Sequence, residues 1–356
     1  MQWRLKELSN QEQTAEGITA RFICTANHGF APYAQEELRR MFGTVKSTML
    51  VSGEVFLATL PISQGEAAEL LYQTPPIFLR HLFPVHFEVG TEQPDHAYDQ
   101  LSRFLLNHSA LQEGTFSLQV RKTEQSNYEG TSGAFKQNIL DGIELLPAQH
   151  VVQDADLIVS VYLTEERLYA GVSRAEDNLS DWNGGAVRFQ KEEGQISRAK
   201  FKLLEAEKTM GIPFSSFHRA VDIGAAPGGW TSFLLERGLE VTAVDPAKMN
   251  PVLLKNPRLK YVSKNAGDVK FKGNEFDLLV CDMSWSPKLM ARLVTDLLYS
   301  LRSGGTAVVT VKLMHKKPMA LIKEVTNVFE DSRMQIQRAK QLFHNRDEIT
   351  LYMIKY

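Results

Sequence analysis

The chain has 356 residues, which is long for one hydrophobic core, so we expect two or three domains. Its two cysteines, Cys24 and Cys281, lie far apart without CxxC or Cys/His spacing, which argues against a disulfide framework or a zinc site and favours a reducing cytoplasm. No uninterrupted apolar run approaches the roughly 20 residues of a membrane helix, and the polar first residues do not resemble a signal peptide, so no membrane association is expected.

Charge is distributed unevenly along the chain, although the formal net charge is only −2. Residues 197–356 contain 25 lysines and arginines against 16 aspartates and glutamates, whereas residues 1–196 contain 15 against 26. A basic half next to an acidic half can accommodate a polyanion on one face only. The composition therefore permits a nucleic-acid partner that the net charge alone would argue against.

The first part of the chain is predicted to contain two small α/β regions. A ferredoxin-like subdomain is expected over residues 1–90, with strand and helix patterns over 18–25, 32–42, 51–60 and 63–72. Ser63 and Glu66 have the spacing of a helix capping box, and Pro75 and Pro76 end the helix. A second region over residues 91–175 shows such patterns over 95–107, 115–121, 133–145, 157–163 and 167–172, the last two forming a hairpin.

Residues 176–196 lack periodicity and are predicted to be a linker, after which residues 197–356 alternate strands and helices as a parallel sheet requires. A helix is expected over 197–209, with Ser197 as its N-cap. Strands are expected over 221–224, 240–245, 260–264, 277–282, 306–312, 334–342 and 348–356. The short loop before the last strand predicts a closing hairpin. The predicted fold class is α/β, a Rossmann-like domain with a mainly parallel seven-stranded sheet and an antiparallel last strand, preceded by smaller α+β regions.

A glycine turn follows the first of these strands, in the segment Asp222–Trp230. Its pattern, G-x-x-P-G-G, differs from the dinucleotide fingerprint because Ala226-Pro227 occupies the region where a glycine admits a pyrophosphate. This rigid, crowded loop favours a cofactor without a diphosphate, such as S-adenosylmethionine. Asp245 and Asp268 follow the next two strands, where their carboxylates can accept hydrogen bonds from ribose hydroxyls and from the adenine amino group.

Four charged residues lie at the edges of the same domain: Lys202 on its first helix, and Asp282, Lys312 and Glu348 at the ends of later strands. Each alone has an ordinary explanation, since a lysine that ends an apolar strand commonly extends its amine to water. Together they fit chemistry that removes a proton from a weakly acidic ribose hydroxyl. Lys312 can accept that proton only when neutral, which desolvation and the ammonium of Lys202 would favour, while the two carboxylates would orient the lysines. A sulfonium is already a good leaving group, so no metal is required.

Ser197–Leu203, Asp222–Trp230 and the order Lys, Asp, Lys, Glu of these charged residues resemble the FtsJ-type ribose 2′-O-methyltransferases, over almost all of residues 197–356. The resemblance implies Lys202, Asp282, Lys312 and Glu348 as catalytic residues, with Lys312 as the proton acceptor. It also implies S-adenosyl-L-methionine as cofactor. The cofactor-binding residues are then expected to be Ser197, Gly224, Ala226, Pro227, Gly228, Gly229, Trp230, Asp245, Asp268 and Asp282.

The first half of the chain carries a second resemblance. Phe22–Phe30 and Ala155–Val172 are similar to the opening and closing parts of methyltransferases with a THUMP-type RNA-binding module, here residues 91–175. Leu179–Trp182 resembles the connector of the RlmM group, which methylates a cytidine ribose in large-subunit ribosomal RNA. The implied substrate is 23S rRNA, free or in an assembling particle. Candidate phosphate contacts are Lys312, His315, Lys316 and Lys317, and a second group, Lys255, Arg258 and Lys260.

Two other functions remain open at this point. THUMP modules also occur on tRNA-modifying enzymes, so a tRNA methyltransferase fits the same residues, as does a non-catalytic RNA-binding factor of ribosome assembly. A base amino-methyltransferase is disfavoured, because Asp282–Trp285 stands where an Asn-Pro-Pro-Tyr-like motif would be expected. The sequence leaves open the target nucleotide, the oligomeric state and the face of the acidic half that contacts RNA.

Overall fold

The computed structural model describes residues 18–190, 194–313 and 317–356, which belong to two compact units, Met1–Ala186 and Val187–Tyr356. The division falls inside the predicted linker, residues 176–196. The polar first residues and the candidate phosphate contacts His315 and Lys316 lie outside the described ranges. Within those ranges, no helix has both the length and the apolar character needed to cross a membrane.

The first sheet of the N-terminal unit has four antiparallel strands in the order β2-β3-β1-β4. Its elements are β1 (Ala20–Ala26), α1 (Ala31–Phe42), β2 (Lys46–Val51), β3 (Val55–Leu60), α2 (Gln64–Gln73) and β4 (Leu79–Pro84). This is the β-α-β-β-α-β arrangement of the ferredoxin-like motif. Ser63 and Glu66 form a complete capping box on α2, as their spacing predicts. The sequence pattern missed β2, because none of its residues is buried and no apolar alternation marks it.

The second sheet of this unit has five strands in the order β5-β9-β8-β6-β7. Its elements are β5 (Phe87–Gly90), α3 (Pro94–Leu106), β6 (Thr115–Lys122), α4 (Ser132–Gly142), β7 (Gln149–His150), β8 (Leu157–Leu163) and β9 (Arg167–Ser173). The predicted hairpin of β8 and β9 is present. The pairing of β5 with β9 places the change of sheet before residue 87, a few residues earlier than the expected boundary at residue 90. Helix α4 ends at Gly142, where a weak helix former precedes the non-helical Ile143.

The C-terminal unit contains a seven-stranded sheet in the order β12-β11-β10-β13-β14-β16-β15. Its elements are α5 (Lys200–Met210), β10 (Arg219–Ile223), α6 (Gly229–Glu236), β11 (Glu240–Val244), β12 (Leu259–Val262), β13 (Phe276–Cys281), α7 (Pro287–Leu297), β14 (Leu301–Lys312), α8 (Pro318–Asp331), β15 (Met334–Lys340) and β16 (Glu348–Lys355). Strands β10 to β14 are parallel, and β16 is antiparallel to both of its neighbours. This confirms the predicted Rossmann-like sheet with a reversed last strand.

Apolar residues on both faces of the central strands hold this unit together. All six residues of β13 are buried, as a strand covered on both faces requires. On one face Phe233 of α6 packs edge-on against Phe214, with ring centroids 5.0 Å apart. The predicted N-cap of α5 was wrong: the helix begins at Lys200, and the Ser197 hydroxyl accepts the Ala199 N–H in the preceding turn. Such local bonds compete with the helix for backbone groups.

We expect Phe233→Ala to lower the free energy of unfolding by about 3–5 kcal/mol, because a fully buried ring is replaced by a cavity. Urea denaturation followed by circular dichroism measures the change. Val252→Ala, at a side chain that is 70% exposed, is the control and should change stability by less than about 0.5 kcal/mol. Equal effects of the two substitutions would contradict the assignment of Phe233 to the core.

Candidate active site

The glycine turn after β10 has a backbone that only glycine adopts without strain. Gly224 has a φ of +75° and Gly228 a φ of +114°. A Cβ on Gly224 would lie 2.3 Å from Cγ of Met283, and a Cβ on Gly228 would lie 2.3 Å from Cδ1 of Leu253. The turn therefore packs tightly against its neighbours at the carboxyl end of β10, where open α/β sheets bind ligands.

Ser197, which lies just before α5, packs against the first residue of α6. A Cβ on Gly229 would lie 2.9 Å from Cβ of Ser197, so the side chain of Ser197 packs closely on the backbone of Gly229. Pro227 contributes its carbonyl, which accepts a hydrogen bond from Asn250 N–H at 3.1 Å. Ser197 and Gly229, which are 32 residues apart in sequence, are thus adjacent in the structure.

Asp245 lies beside the mouth of the turn, just after β11. Its Oδ2 accepts a hydrogen bond from Ala226 N–H at 3.0 Å, and its Oδ1 accepts one from Ala247 N–H at 2.7 Å. Each carboxylate oxygen keeps a further lone pair, so the two oxygens can accept from two neighbouring hydroxyls. Asp268 follows β12 and is exposed. A fixed, half-buried carboxylate next to a crowded glycine turn fits the ribose and the diphosphate-free chain of S-adenosylmethionine.

The side chain of Trp230 does not line this crevice. Its exposed fraction is 3%, and its indole Nε1 donates to the carbonyl of Ala199 at 2.9 Å. The ring therefore fastens α5 to α6 inside the core, and only the backbone of Trp230 lies at the turn. Trp230 stays a predicted cofactor-binding residue, through its backbone at the turn.

Asp222, in strand β10 just before the glycine turn, is a buried carboxyl group. Thr231 donates a hydrogen bond from its Oγ1 to Oδ2 of Asp222 at 2.6 Å. Burial raises the pKa of Asp222 to about 7; the Thr231 bond opposes that change, and the nearby Asp282 and Asp245 add to it. Three carboxyl groups therefore lie near one another around the glycine turn.

Three of the four charged residues predicted from the sequence contact one another at the carboxyl ends of the parallel strands. Nζ of Lys202 lies 2.9 Å and 3.0 Å from the two carboxylate oxygens of Asp282 and also contacts Oε1 of Glu348. Burial on its own would lower the pKa of Lys202, but Asp282 and Glu348 together raise it above its ordinary value. Lys202 is therefore a fixed cation that joins α5 to the ends of β13 and β16.

Lys312 is placed differently from Lys202. It is the last residue of β14 and lies directly opposite Glu348 in the antiparallel pair of β14 and β16. Its side chain is half-buried. Within residues 18–190, 194–313 and 317–356, its amine forms no hydrogen bond or ion pair. The two carboxylates thus hold Lys202, not both lysines as the sequence analysis expected.

Sequence reasoning missed the residues that hold these carboxylates. Thr310 donates a hydrogen bond to Oδ1 of Asp282 at 2.8 Å, and it lies two residues before Lys312, on the same face of β14. Asn345 donates to Oε1 of Glu348 at 3.4 Å. The two-residue period of a strand could have indicated that Thr310 lies on the same face as Lys312. Nothing in the sequence marked Asn345, which lies in the short loop before the last strand.

Glu205 is a further supporting residue. It is 2% exposed, and its carboxylate accepts hydrogen bonds from the backbone N–H groups of Phe343 and His344 at 2.7 Å and 2.9 Å. It also lies 2.7 Å from Nδ1 of His344. Glu205 is one turn of α5 after Lys202, so the same helix face holds both the cation and the loop that leads to Glu348.

This sheet and its glycine turn form a Rossmann-like domain of the class that binds S-adenosyl-L-methionine. Residues 195–346 match the family described as FtsJ-like methyltransferase. The ribosomal RNA large subunit methyltransferase M of Marinobacter nauticus is 31% identical over 259 residues, which are 66% of this chain and 70% of that protein. The chain therefore belongs to this FtsJ-like family, together with the proteins named ribosomal RNA large subunit methyltransferase M.

Other similarities are shorter or weaker. The protein of the same name from Halorhodospira halophila is 34% identical over 189 residues, which are 52% of this chain and 53% of that protein. The chain thus spans about half the length of several of the relatives it matches. Among solved structures, TrmN from Thermus thermophilus has 13% sequence identity and a TM-score of 0.41, and the match covers 95% of this chain and 100% of that one.

We expect Asp222→Asn to become more stable relative to the parent protein as the pH rises from about 4 to about 7. The folded protein keeps a proton on Asp222 up to about pH 7, whereas the ordinary pKa of the group is 3.8. Between these pH values the unfolded parent loses that proton and the folded parent does not, so rising pH lowers the stability of the parent. Asp222→Asn has no such group and is not affected. Above pH 7 the difference should be constant. Thermal unfolding between pH 4 and pH 8 measures it.

The control is Asp296→Asn, which removes the same charge from an exposed position on α7. Its stability relative to the parent should not follow the trend of Asp222→Asn. A difference between Asp222→Asn and parent that is the same at every pH would show that Asp222 is ionised throughout.

Proposed function

We propose that this protein is an S-adenosylmethionine-dependent RNA ribose 2′-O-methyltransferase that acts on a cytidine of 23S rRNA. The observation that supports this most directly is the unequal placement of two lysines at one edge of the sheet. Lys202 is held by two carboxylates, whereas the amine of Lys312 has no partner within the described ranges. A fixed cation beside an unengaged amine is an arrangement suited to taking a proton from a hydroxyl.

In this proposal Lys312 is the general base. Lys202, Asp282 and Glu348 together carry one net negative charge, and Lys312 lies across from Glu348 on the neighbouring strand. Lys312 must be neutral to accept the proton of the ribose hydroxyl, so it first gives its own proton to water. The net negative charge beside it then stabilises the ammonium that forms when the ribose proton is taken. The repulsion between the two lysines expected from the sequence is offset, because the ammonium of Lys202 is compensated by two carboxylates.

Asp282 and Glu348 are positioning residues in the same account. Each binds Lys202, and each has a further hydrogen bond, from Thr310 or Asn345, that fixes its orientation. A group placed in this way costs no reorganisation when the reaction begins, which is how positioning lowers a barrier.

The cofactor would be held between the glycine turn and Asp245. The backbone of Ala226–Trp230 and Ser197 would contact its amino-acid part, Asp245 its ribose hydroxyls and Asp268 its adenine amino group. When bound, S-adenosylmethionine supplies a methyl group on a sulfonium, which is a good leaving group. Asp282 lies between this region and Lys312, since β13 is adjacent to both β10 and β14.

The RNA substrate rests on the relatives and on charge. The proteins from Marinobacter nauticus and Halorhodospira halophila are named ribosomal RNA large subunit methyltransferase M, and the basic half of this chain is the half that contains the crevice. We further propose that the N-terminal unit contains a THUMP-like RNA-binding domain over residues 91–175 and that the protein acts in the cytoplasm. The substrate would be either free rRNA or a pre-ribosomal particle.

We expect Lys312→Ala to lower the rate of methyl transfer to rRNA by about 10²–10⁴-fold, because general bases contribute that much to a rate. Cofactor affinity should stay the same, since Lys312 lies beyond Asp282 from the glycine turn. Transfer of a labelled methyl group to 23S rRNA measures the rate, and calorimetry with S-adenosylmethionine measures the affinity.

Lys323→Ala, at an exposed lysine on α8, is the matched control and should retain full activity. Normal transfer by Lys312→Ala would remove Lys312 from the mechanism. Failure of the parent protein to bind S-adenosylmethionine would favour a non-catalytic RNA-binding role, and transfer to tRNA in place of rRNA would favour a tRNA methyltransferase.

Among the candidate phosphate contacts, Lys255 and Lys260 are exposed and near β12. Arg258 differs from them, because its guanidinium donates a hydrogen bond to the carbonyl of Leu235 at 2.9 Å and so has a structural role. We therefore expect the double variant Lys255→Gln, Lys260→Gln to bind every RNA sequence more weakly and to reduce the slope of log affinity against log salt by about 2. Filter binding from 50 to 200 mM salt measures the slope, with Lys323→Gln as the control, and an unchanged slope would exclude both lysines.

A further inference from the structure

We propose that the indole of Trp285 is the platform on which the base of the target nucleotide stacks. This inference rests on the proposed methylation of RNA, and it assigns a residue of this chain to a part of the substrate that the charged residues do not contact. Lys202, Asp282, Lys312 and Glu348 account for the ribose hydroxyl alone. A base that is held by one flat surface would place that hydroxyl next to Lys312.

The position of Trp285 in the chain brings it to the crevice. It is three residues after Asp282, and three residues span at most about 11 Å. Asp282 itself binds Lys202 and follows the strand adjacent to the one that ends in Lys312. Trp285 therefore lies at the same end of the sheet as Lys312.

The loop that carries Trp285 is anchored at both ends. Cys281 and Pro287 are buried, and Met283 packs against the glycine turn so closely that Gly224 has no room for a Cβ. Between these anchors, Ser284, Trp285 and Ser286 are exposed. The fixed ends of the loop hold the tryptophan outward at the rim of the crevice.

The indole is exposed and unengaged. Its exposed fraction is 43%, although tryptophan is a residue that proteins mostly bury. Within the residues that the structure describes, no aromatic ring or cation packs on it, and its Nε1 has no hydrogen-bond acceptor. The neighbouring hydroxyls of Ser284 and Ser286 likewise have no partner in the described ranges, and Ser286 makes no capping bond to α7.

These features fit an unpaired RNA base better than a protein surface. RNA bases that are read or modified are displaced from their stack and rest on aromatic side chains, and their edges take hydrogen bonds from nearby polar groups. Trp285 offers an aromatic face for stacking at the rim of a basic domain, and the hydroxyls of Ser284 and Ser286 beside it can bond to the edge of a base. The other aromatic rings at this edge, Phe189, Phe201 and His344, pack on one another instead.

The test compares Trp285→Ala with Trp285→Phe, using a 23S rRNA transcript as substrate. We expect Trp285→Ala to raise KM for the transcript by about 5- to 150-fold, the range that stacking of one base on an aromatic side chain accounts for. KM for S-adenosylmethionine should not change. Trp285→Phe, which keeps an aromatic face, should recover most of the loss.

The matched control is Tyr356→Ala, which removes an aromatic side chain that is 66% exposed. Tyr356 follows the last residue of β16, whereas Glu348 is the first residue of that strand, so the control lies at the end of the sheet away from the crevice. It should leave both KM values unchanged. An unchanged KM for the transcript in Trp285→Ala, or equal losses in Trp285→Ala and Trp285→Phe, would overturn the proposal.

A second measurement separates this inference from the proposed reaction. If the parent protein transfers no methyl group to rRNA, the proposed reaction fails, and stacking is decided by binding of a 12-nucleotide single-stranded RNA. Quenching of tryptophan fluorescence by that RNA in the parent but not in Trp285→Phe would support the platform. Equal quenching in both proteins, or none in either, would overturn it.

Discussion

The ammonium of Lys202, held between the carboxylates of Asp282 and Glu348, is the interaction on which the arrangement of the crevice depends. Two carboxylates with small exposed fractions repel each other unless a cation lies between them. Because Lys202 is on α5 while the carboxylates adjoin β13 and β16, this one cation fixes three elements that are far apart in the sequence. Lys312 lies beside this cluster because it is the cross-strand partner of Glu348.

The surrounding structure holds that cation in place by ordinary packing and hydrogen bonds. Trp230 fastens α5 to α6, and Glu205 fastens α5 to the loop before β16, so the helix that carries Lys202 cannot shift without breaking a buried contact. The turn just before this helix approaches the glycine turn through the close contact of Ser197 with Gly229. The proposed cofactor and substrate regions therefore share one rigid support, which is what positioning for a displacement reaction requires.

Much of the C-terminal fold was predictable because its strands carry strong local signals. β13 is almost wholly apolar, β16 follows a short polar loop, and the glycine turn marks the end of β10, so the mainly parallel sheet and its reversed last strand followed from pattern. β2 was missed because none of its residues is buried. The helix start at Ser197 was misplaced, since a serine hydroxyl bonds to the backbone in turns as readily as at a cap. Strand-end positions and the family resemblance grouped the four charged residues. They could not predict that both carboxylates bind Lys202, because pairing depends on tertiary distances. The burial of Trp230 and Glu205 could not be predicted either, because the local sequence does not show whether such a side chain is buried or exposed.

The central claim is that the two lysines differ in their engagement, and trace acetylation of the folded protein tests it most directly. Limited reaction with acetic anhydride, followed by mass spectrometry, gives the relative labelling rate of each lysine, with the exposed Lys323 as reference. The account predicts that Lys202 is labelled far more slowly than Lys312, because its nitrogen is occupied by two carboxylates. Labelling of Lys202 at a rate equal to or above that of Lys312 would contradict it.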